Sequence, residues 1–162
     1  MVKIRVLQKN DKKELLKLAT EFFKKNQREK IVSKKLLPLI KYKNYDEHLK
    51  EDVKKYMKLN PREAIIFVAE ENEKLIGYIY GRILNRPKMI CNRVGIIEDW
   101  FVEEKYRNLK IGELLWNKLI SWFKMEKCKC LELDVYPTNR KAIDIYHKLG
   151  FIDKSLILIK KL

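Results

Sequence analysis

Cysteine and histidine are scarce in this 162-residue chain. The three cysteines, Cys91, Cys128 and Cys130, cannot all pair with one another, which fits a reducing compartment better than a disulfide-stapled secreted domain. Structural zinc takes four protein ligands, and no second Cys or His pair stands near Cys128 and Cys130. His48 and His147 are isolated from each other in sequence, so no metal is expected. Long apolar runs are missing as well: charges break each one before the roughly 20 residues that a membrane span needs. The start, MVKIRVLQKNDKK, lacks an apolar stretch followed by small residues. No secretory signal is expected, and a cytoplasmic location is. There is no repeat, low-complexity tract or linker, so a single domain over residues 1–162 is expected.

What is present is apolar enough to fold. Hydrophobic residues make up 46% of the chain, which argues against disorder despite 36% charged residues. A domain this long buries about 68–70% of its unfolded surface and needs no metal or disulfide to hold together. The 37 basic and 22 acidic side chains give a net charge of +15. Residues 1–60 hold 18 basic and 8 acidic groups, so +10 of that excess lies in the first sixty residues. Such a patch either draws an anionic partner, nucleic acid or a phosphorylated cofactor, or is a set of solvated helix faces. Lysine (29) far outnumbers arginine (8), the preferred reader of bases, which favours solvated faces.

Val2, Ile4 and Val6 alternate as a short strand, and Asn10 or Asp11 then caps a helix with Leu15, Leu16, Leu18, Ala19, Phe22 and Phe23 at helical spacing. A lysine-rich stretch leads to Pro38, and a second helix is expected from Asp46 to about Leu59. AIIFVAEENEKLIGYIYGRIL reads as two strands joined near Glu71-Asn72-Glu73, and MICNRVGIIEDWFVE as a third. Residues 108–126 read as a helix with Ile111, Leu114, Leu115, Leu119, Ile120 and Phe123 inward. LELDVYP is a strand stopped by Pro137; Thr138 can cap a helix over 139–149 that Gly150 ends. FIDKSLILIKKL supplies one or two last strands. The order β-α-α-β-β-β-α-β-α-β describes an α/β (α+β) domain around a mixed, mostly antiparallel sheet. The helical crossover into LELDVYP joins parallel neighbours.

Between the third long strand and its helix lies Tyr106-Arg107-Asn108-Leu109-Lys110-Ile111-Gly112-Glu113. A turn entering a helix offers unpaired backbone N–H groups, and the helix dipole favours an anion there. Gly112 permits close backbone approach, while Arg107 and Lys110 add positive charge. The run Ile97-Glu98-Asp99-Trp100-Phe101-Val102 followed by this turn resembles the acyl-CoA-binding motif of the GNAT family of N-acetyltransferases. Asn139, Ala142, Tyr146, Gly150 and Phe151 resemble that family's second signature. The resemblance covers about residues 64–155, and within the family these motifs look most like the spermidine/spermine enzymes. One departure stands out: Lys110 occupies a position that is usually glycine, and a Cβ there strains a backbone with φ > 0.

The resemblance implies a GNAT-type fold and acetyl transfer from acetyl-CoA to a primary amine by direct attack, with no covalent enzyme intermediate. Glu98 is implied as general base, with Asp99 its neighbour, and Tyr146 as the acid that protonates the leaving thiolate. Only one of the two carboxylates should face the cleft unless a bulge intervenes. Backbone groups near Trp100, Phe101 and Val102 are implied to align the pantetheine arm and the oxyanion. Arg107, Asn108, Leu109, Lys110, Ile111, Gly112 and Glu113 would hold the phosphates, and Asn139 and Ala142 would flank the arm. Helices over residues 11–60 and the strand ends near Tyr78–Arg82 would shape the acceptor cleft. Glu47, Glu51 and Asp52 could add a local acidic patch for a polyamine or other small amine. A protein N-terminus or lysine is the alternative acceptor. A silent, basic nucleic-acid-binding module on the same fold is the alternative of another class. Homodimers are common in the family, and the last strand offers an edge.

Overall fold

The structure is a computed structural model that describes residues 1–26, 32 and 34–162. Part of the lysine-rich connection, residues 27–31 and 33, lies outside the described residues. The elements are β1 (Lys3–Val6), α1 (Lys12–Asn26), α2 (Leu37–Ile40), α3 (Tyr45–Tyr56), β2 (Ala64–Glu71), β3 (Lys74–Asn85), β4 (Arg93–Val102), α4 (Ile111–Met125), β5 (Cys130–Leu133) and α5 (Arg140–Lys148). The chain forms two compact units, residues 1–22 with 44–134, and residues 23–43 with 135–162.

The first unit holds a five-stranded sheet in the order β1-β2-β3-β4-β5. The first four strands are antiparallel neighbours, and β5 runs parallel to β4. Asn72 and Glu73, both at positive φ (49° and 61°), make the tight β2–β3 turn, the conformation whose twist matches a hairpin. The β4–β5 connection needs a crossover, and α4 supplies it. The capping residue at this start is Gln8 rather than Asn10 or Asp11: a 3₁₀ turn (Lys9–Asp11) leads into α1, and Asp11, which ends that turn, accepts the Gln8 N–H at 2.7 Å and pairs with Arg5.

Strand alternation sends β3 side chains to two different layers. Tyr78 joins Leu15, Leu18 and Ala19 of α1, Leu49 and Val53 of α3, and Phe101 of β4 in one core cluster. The opposite face receives α4 so closely that glycine is required beneath it. A Cβ at Gly95 would lie 2.6 Å from the Phe123 ring, and one at Gly81 2.8 Å from it. Leu115, Leu119, Trp122 and Phe123 are buried as α4's inner face, whereas Leu114, expected inward, is exposed. It sits one residue off the stripe that faces the sheet, and Trp122 takes the buried place instead.

The second unit contains α2 and α5. Asn139, rather than Thr138, is the residue preceding α5, and its carbonyl accepts the Ile143 N–H at 3.1 Å. Gly150, at φ 90°, closes the helix: its N–H reaches the His147 carbonyl, and the Phe151 N–H reaches that of Tyr146. The last strands expected from FIDKSLILIKKL are not formed. Residues 151–162 carry no regular structure, and Leu156, Ile157 and Leu158 stand 69%, 84% and 84% exposed. Alternation makes a strand only where a neighbouring edge accepts its ladder. The observed order is β-α-α-α-β-β-β-α-β-α, and the α/β class with a mixed, mostly antiparallel sheet holds. Cys91 and Cys130 are disulfide-bonded, with Cα atoms 6.0 Å apart, and Cys128 is free.

Candidate active site

Two left-handed residues, Asn108 (φ 65°) and Lys110 (φ 59°), shape the turn before α4. Lys110 therefore does hold the backbone that a side chain makes costly, by about 1–2 kcal/mol. A cleft of about 300 Å³ lies at this turn, lined by Val102, Tyr106, Arg107, Asn108, Lys110, Ile111, Gly112 and Glu113. Every residue expected in the turn lines it except Leu109, which is exposed beside it. The Arg107 Nε donates to the Val102 carbonyl at 3.3 Å, which holds the guanidinium at the end of β4. A Cβ on Gly112 would touch only the Trp100 indole, at an ordinary 3.6 Å. Packing thus does not demand glycine there, and what the missing side chain leaves is room in the cleft. Trp100 itself stacks on Trp116 with ring centroids 5.2 Å apart, bracing the first turn of α4.

Strands β4 and β5 part company halfway along. Their ladder runs only from Val94↔Cys130 to Ile97↔Leu133, while β4 continues to Val102. The step falls at Glu98. Phe101 sends its ring into the core against Phe22, at 5.5 Å, so only its backbone can serve the cleft.

The same position carries a β-bulge. Tyr80 faces Asp99 across β3–β4, and the next pair is Gly81↔Ile97, which leaves Glu98 as the extra residue on β4. A bulge breaks alternation, so the two adjacent carboxylates share one neighbourhood. Glu98 is ion-paired with Arg82 of β3 and is partly exposed. Asp99 accepts a hydrogen bond from the Tyr78 hydroxyl at 3.3 Å. Burial pushes the Asp99 carboxyl up to about 6, the Tyr78 bond pulls it down, and the charges of Glu98 and Asp52 push it up again. The phenols of Tyr56 and Tyr80, whose rings lie 4.9 Å apart, are raised by burial first and by the same carboxylates second. Tyr78, fully buried, is raised in the same way.

Within the second unit, Asn139 makes no side-chain cap to α5, so its amide is not committed to the helix end. Ala142 follows on the first turn of α5. Tyr146 packs edge-on against Phe151, ring centroids 5.9 Å apart, and burial raises its phenol above the ordinary value. That direction keeps the proton on the oxygen at neutral pH.

Sequence reasoning named the strand end Tyr78–Arg82 and an acidic patch that includes Asp52. It did not pair Arg82 with Glu98, nor bring Tyr56, Tyr78, Tyr80 and Asp52 around Asp99. The hairpin register could have found part of this, since Tyr78, Tyr80 and Arg82 alternate onto one face. Among the described residues, no group of three or more His, Cys, Asp and Glu is arranged to hold a metal ion, and no helix is long and apolar enough to cross a membrane.

Comparisons with known proteins agree on one family. An N-acetyltransferase of Methanocaldococcus jannaschii is 32% identical over 91 residues, 56% of this chain and 40% of that protein. An N-alpha-acetyltransferase of Sulfurisphaera tokodaii is 34% identical over 122 residues, 72% of this chain and 67% of that one. Among solved structures, a putative acetyl transferase from Pyrococcus furiosus superposes with a TM-score of 0.76 over the whole of both chains at 24% identity. An aminoglycoside N-acetyltransferase in complex with CoA reaches 0.75 over 100% of this chain and 95% of its own, at 15% identity, a likeness of fold. Residues 30–151 match the acetyltransferase (GNAT) family, and the chain belongs to that family.

Proposed function

We propose that this protein transfers an acetyl group from acetyl-CoA to a primary amine by direct attack. The observation that carries this reading is the doubly left-handed turn at Asn108 and Lys110, with its cleft at the amino end of α4, in a chain of the GNAT family. Backbone N–H groups there, with Arg107 and Lys110, suit the phosphates of the co-substrate. The pantetheine arm is assigned to the step where β4 outruns β5, and the motif resemblance gives Asn139 and Ala142 a part in holding it. A solved aminoglycoside N-acetyltransferase bound to CoA, similar in fold, supports the co-substrate.

An acceptor amine with a pKa near that of lysine, about 10.4, arrives protonated and must lose a proton before it attacks. A carboxylate of the Glu98–Asp99 bulge takes it, and Tyr146 supplies the proton for the departing thiolate. Carboxylates and phenols around the bulge suit an ammonium group. A small amine such as a diamine or polyamine is the acceptor that the motif resemblance favours. A second reading, the α-amine of a protein or peptide, is favoured by a named relative, the N-alpha-acetyltransferase of Sulfurisphaera tokodaii.

Thiol release from acetyl-CoA tests the reading, with 1,4-diaminobutane, spermidine and free-amine peptides offered in parallel. Saturable release with one acceptor class is expected and names that class. Release no faster than the acceptor-free blank with all of them would contradict acetyl transfer to amines. Tyr146→Phe is expected to lower kcat by about 10²-fold or more while leaving acetyl-CoA binding nearly intact. Unchanged turnover would remove Tyr146 as the acid.

A further inference from the structure

From the geometry of the β4 bulge we infer that Asp99, not Glu98, is the residue that takes the proton from the acceptor amine, and that Glu98 with Arg82 positions the acceptor. This rests on the acetyl-transfer reading of the same site. The two carboxylates are neighbours in sequence but not in circumstance. Glu98 is held in an ion pair by the Arg82 guanidinium and is open to water, so its carboxylate is already engaged by a partner on β3. Asp99 is largely enclosed without being sealed from solvent, and among the described residues it accepts a hydrogen bond from the neutral Tyr78 hydroxyl.

The groups that face Asp99 are Tyr78 and Tyr80 of β3, Glu98 on its own strand, and Asp52 and Tyr56 of α3. Beyond Tyr78's hydrogen bond, which opposes the effect, the named charges and the burial raise its proton affinity towards the range where a base works at neutral pH. Arg82, the nearby cation, is occupied by Glu98.

The step balances. An alkylammonium gives one proton to an Asp99 oxygen, and the freed nitrogen lone pair forms the N–C bond to the acetyl carbonyl. The C–S bond breaks with its electron pair on sulfur. The nitrogen's second proton, relayed through the acid group, ends on the thiolate, and Asp99 returns the first to solvent.

Two measurements test this. The kcat/KM of the wild type, measured with acetyl-CoA and whichever amine probe it accepts, should rise through an acidic limb with a midpoint near pH 6. Asp99→Asn should abolish that limb and lower kcat/KM by about 10²–10⁴-fold. Glu98→Gln should keep the limb and mainly raise KM. A limb retained in Asp99→Asn, or lost in Glu98→Gln, would overturn the inference. Carbon-13 carboxyl NMR of the acceptor-free protein needs no turnover: Asp99 should titrate near 6, and an Asp99 that titrates near the ordinary value of about 4 would overturn the inference. A wild type that acetylates none of the probes would instead count against the acetyl-transfer reading, while the NMR result still judges Asp99.

Discussion

Lys110 holds a left-handed backbone that glycine would adopt at no steric cost. Lys110→Gly should therefore raise the unfolding free energy by about 1 kcal/mol, measured by urea denaturation. Losing the ammonium should weaken acetyl-CoA binding, more at low ionic strength than at high. Equal affinity at low salt would show that the side chain does not meet the co-substrate. Asp99 poses the opposite trade between stability and function. Its carboxyl titrates at about 6 folded, against about 3.9 unfolded, so the folded state binds the proton more tightly. Stability from this group is present at low pH and is lost as pH rises from about 4 through 6, a loss of at most about 2–3 kcal/mol. Asp99→Asn, whose amide oxygen can still accept from Tyr78, should be about 1–2 kcal/mol more stable than the wild type at pH 7.5 and flatter between pH 4 and 6. A variant less stable at pH 7.5 would show that the ionised carboxylate is not under strain.

Strands and helices explain why part of the site was legible in the sequence. The turn before α4 was readable because its chemistry is local: Arg107, Lys110 and Gly112 sit in one run beside a helix start. The hairpins β2–β3 and β3–β4 were readable from alternation and turn residues. The bulge at Glu98 was not, since a one-residue slip between two strands leaves no mark in either strand alone. Nor was the meeting of Asp52 and Tyr56 with Tyr80, because a helix face finds its strand only through packing. FIDKSLILIKKL shows the converse, a strand-like pattern with no ladder to join. Close packing of α4 on the sheet is itself testable. Gly95→Ala drives a methyl into the Phe123 ring and should cost about 1–3 kcal/mol, read as a fall in Tm. An unchanged Tm would mean that α4 can move off the sheet at little cost.

For the molecule as a whole, Cys91 and Cys130 are joined across 39 residues while Cys128 stays free, so the three cysteines do not all pair. Closing a loop of that length stabilises by roughly 3–4 kcal/mol in the chain-entropy description. Cys91→Ser should lose about that much against the oxidised wild type and nothing against the reduced one. The +15 charge is the other molecular feature, and within it the proposed acceptor site is a cluster of carboxylates and phenols. The turn before α4, proposed to hold the phosphates, by contrast shares the sign of the whole, which favours an anionic co-substrate at long range. Calorimetric titration of acetyl-CoA into the purified protein, with CoA alongside, puts that turn to the most direct trial. Saturable binding to one site per chain, weaker at high salt, is the expected result. No heat of binding at millimolar acetyl-CoA would mean that the turn with Lys110 does not take the co-substrate, and the acetyl-transfer reading would fall with it.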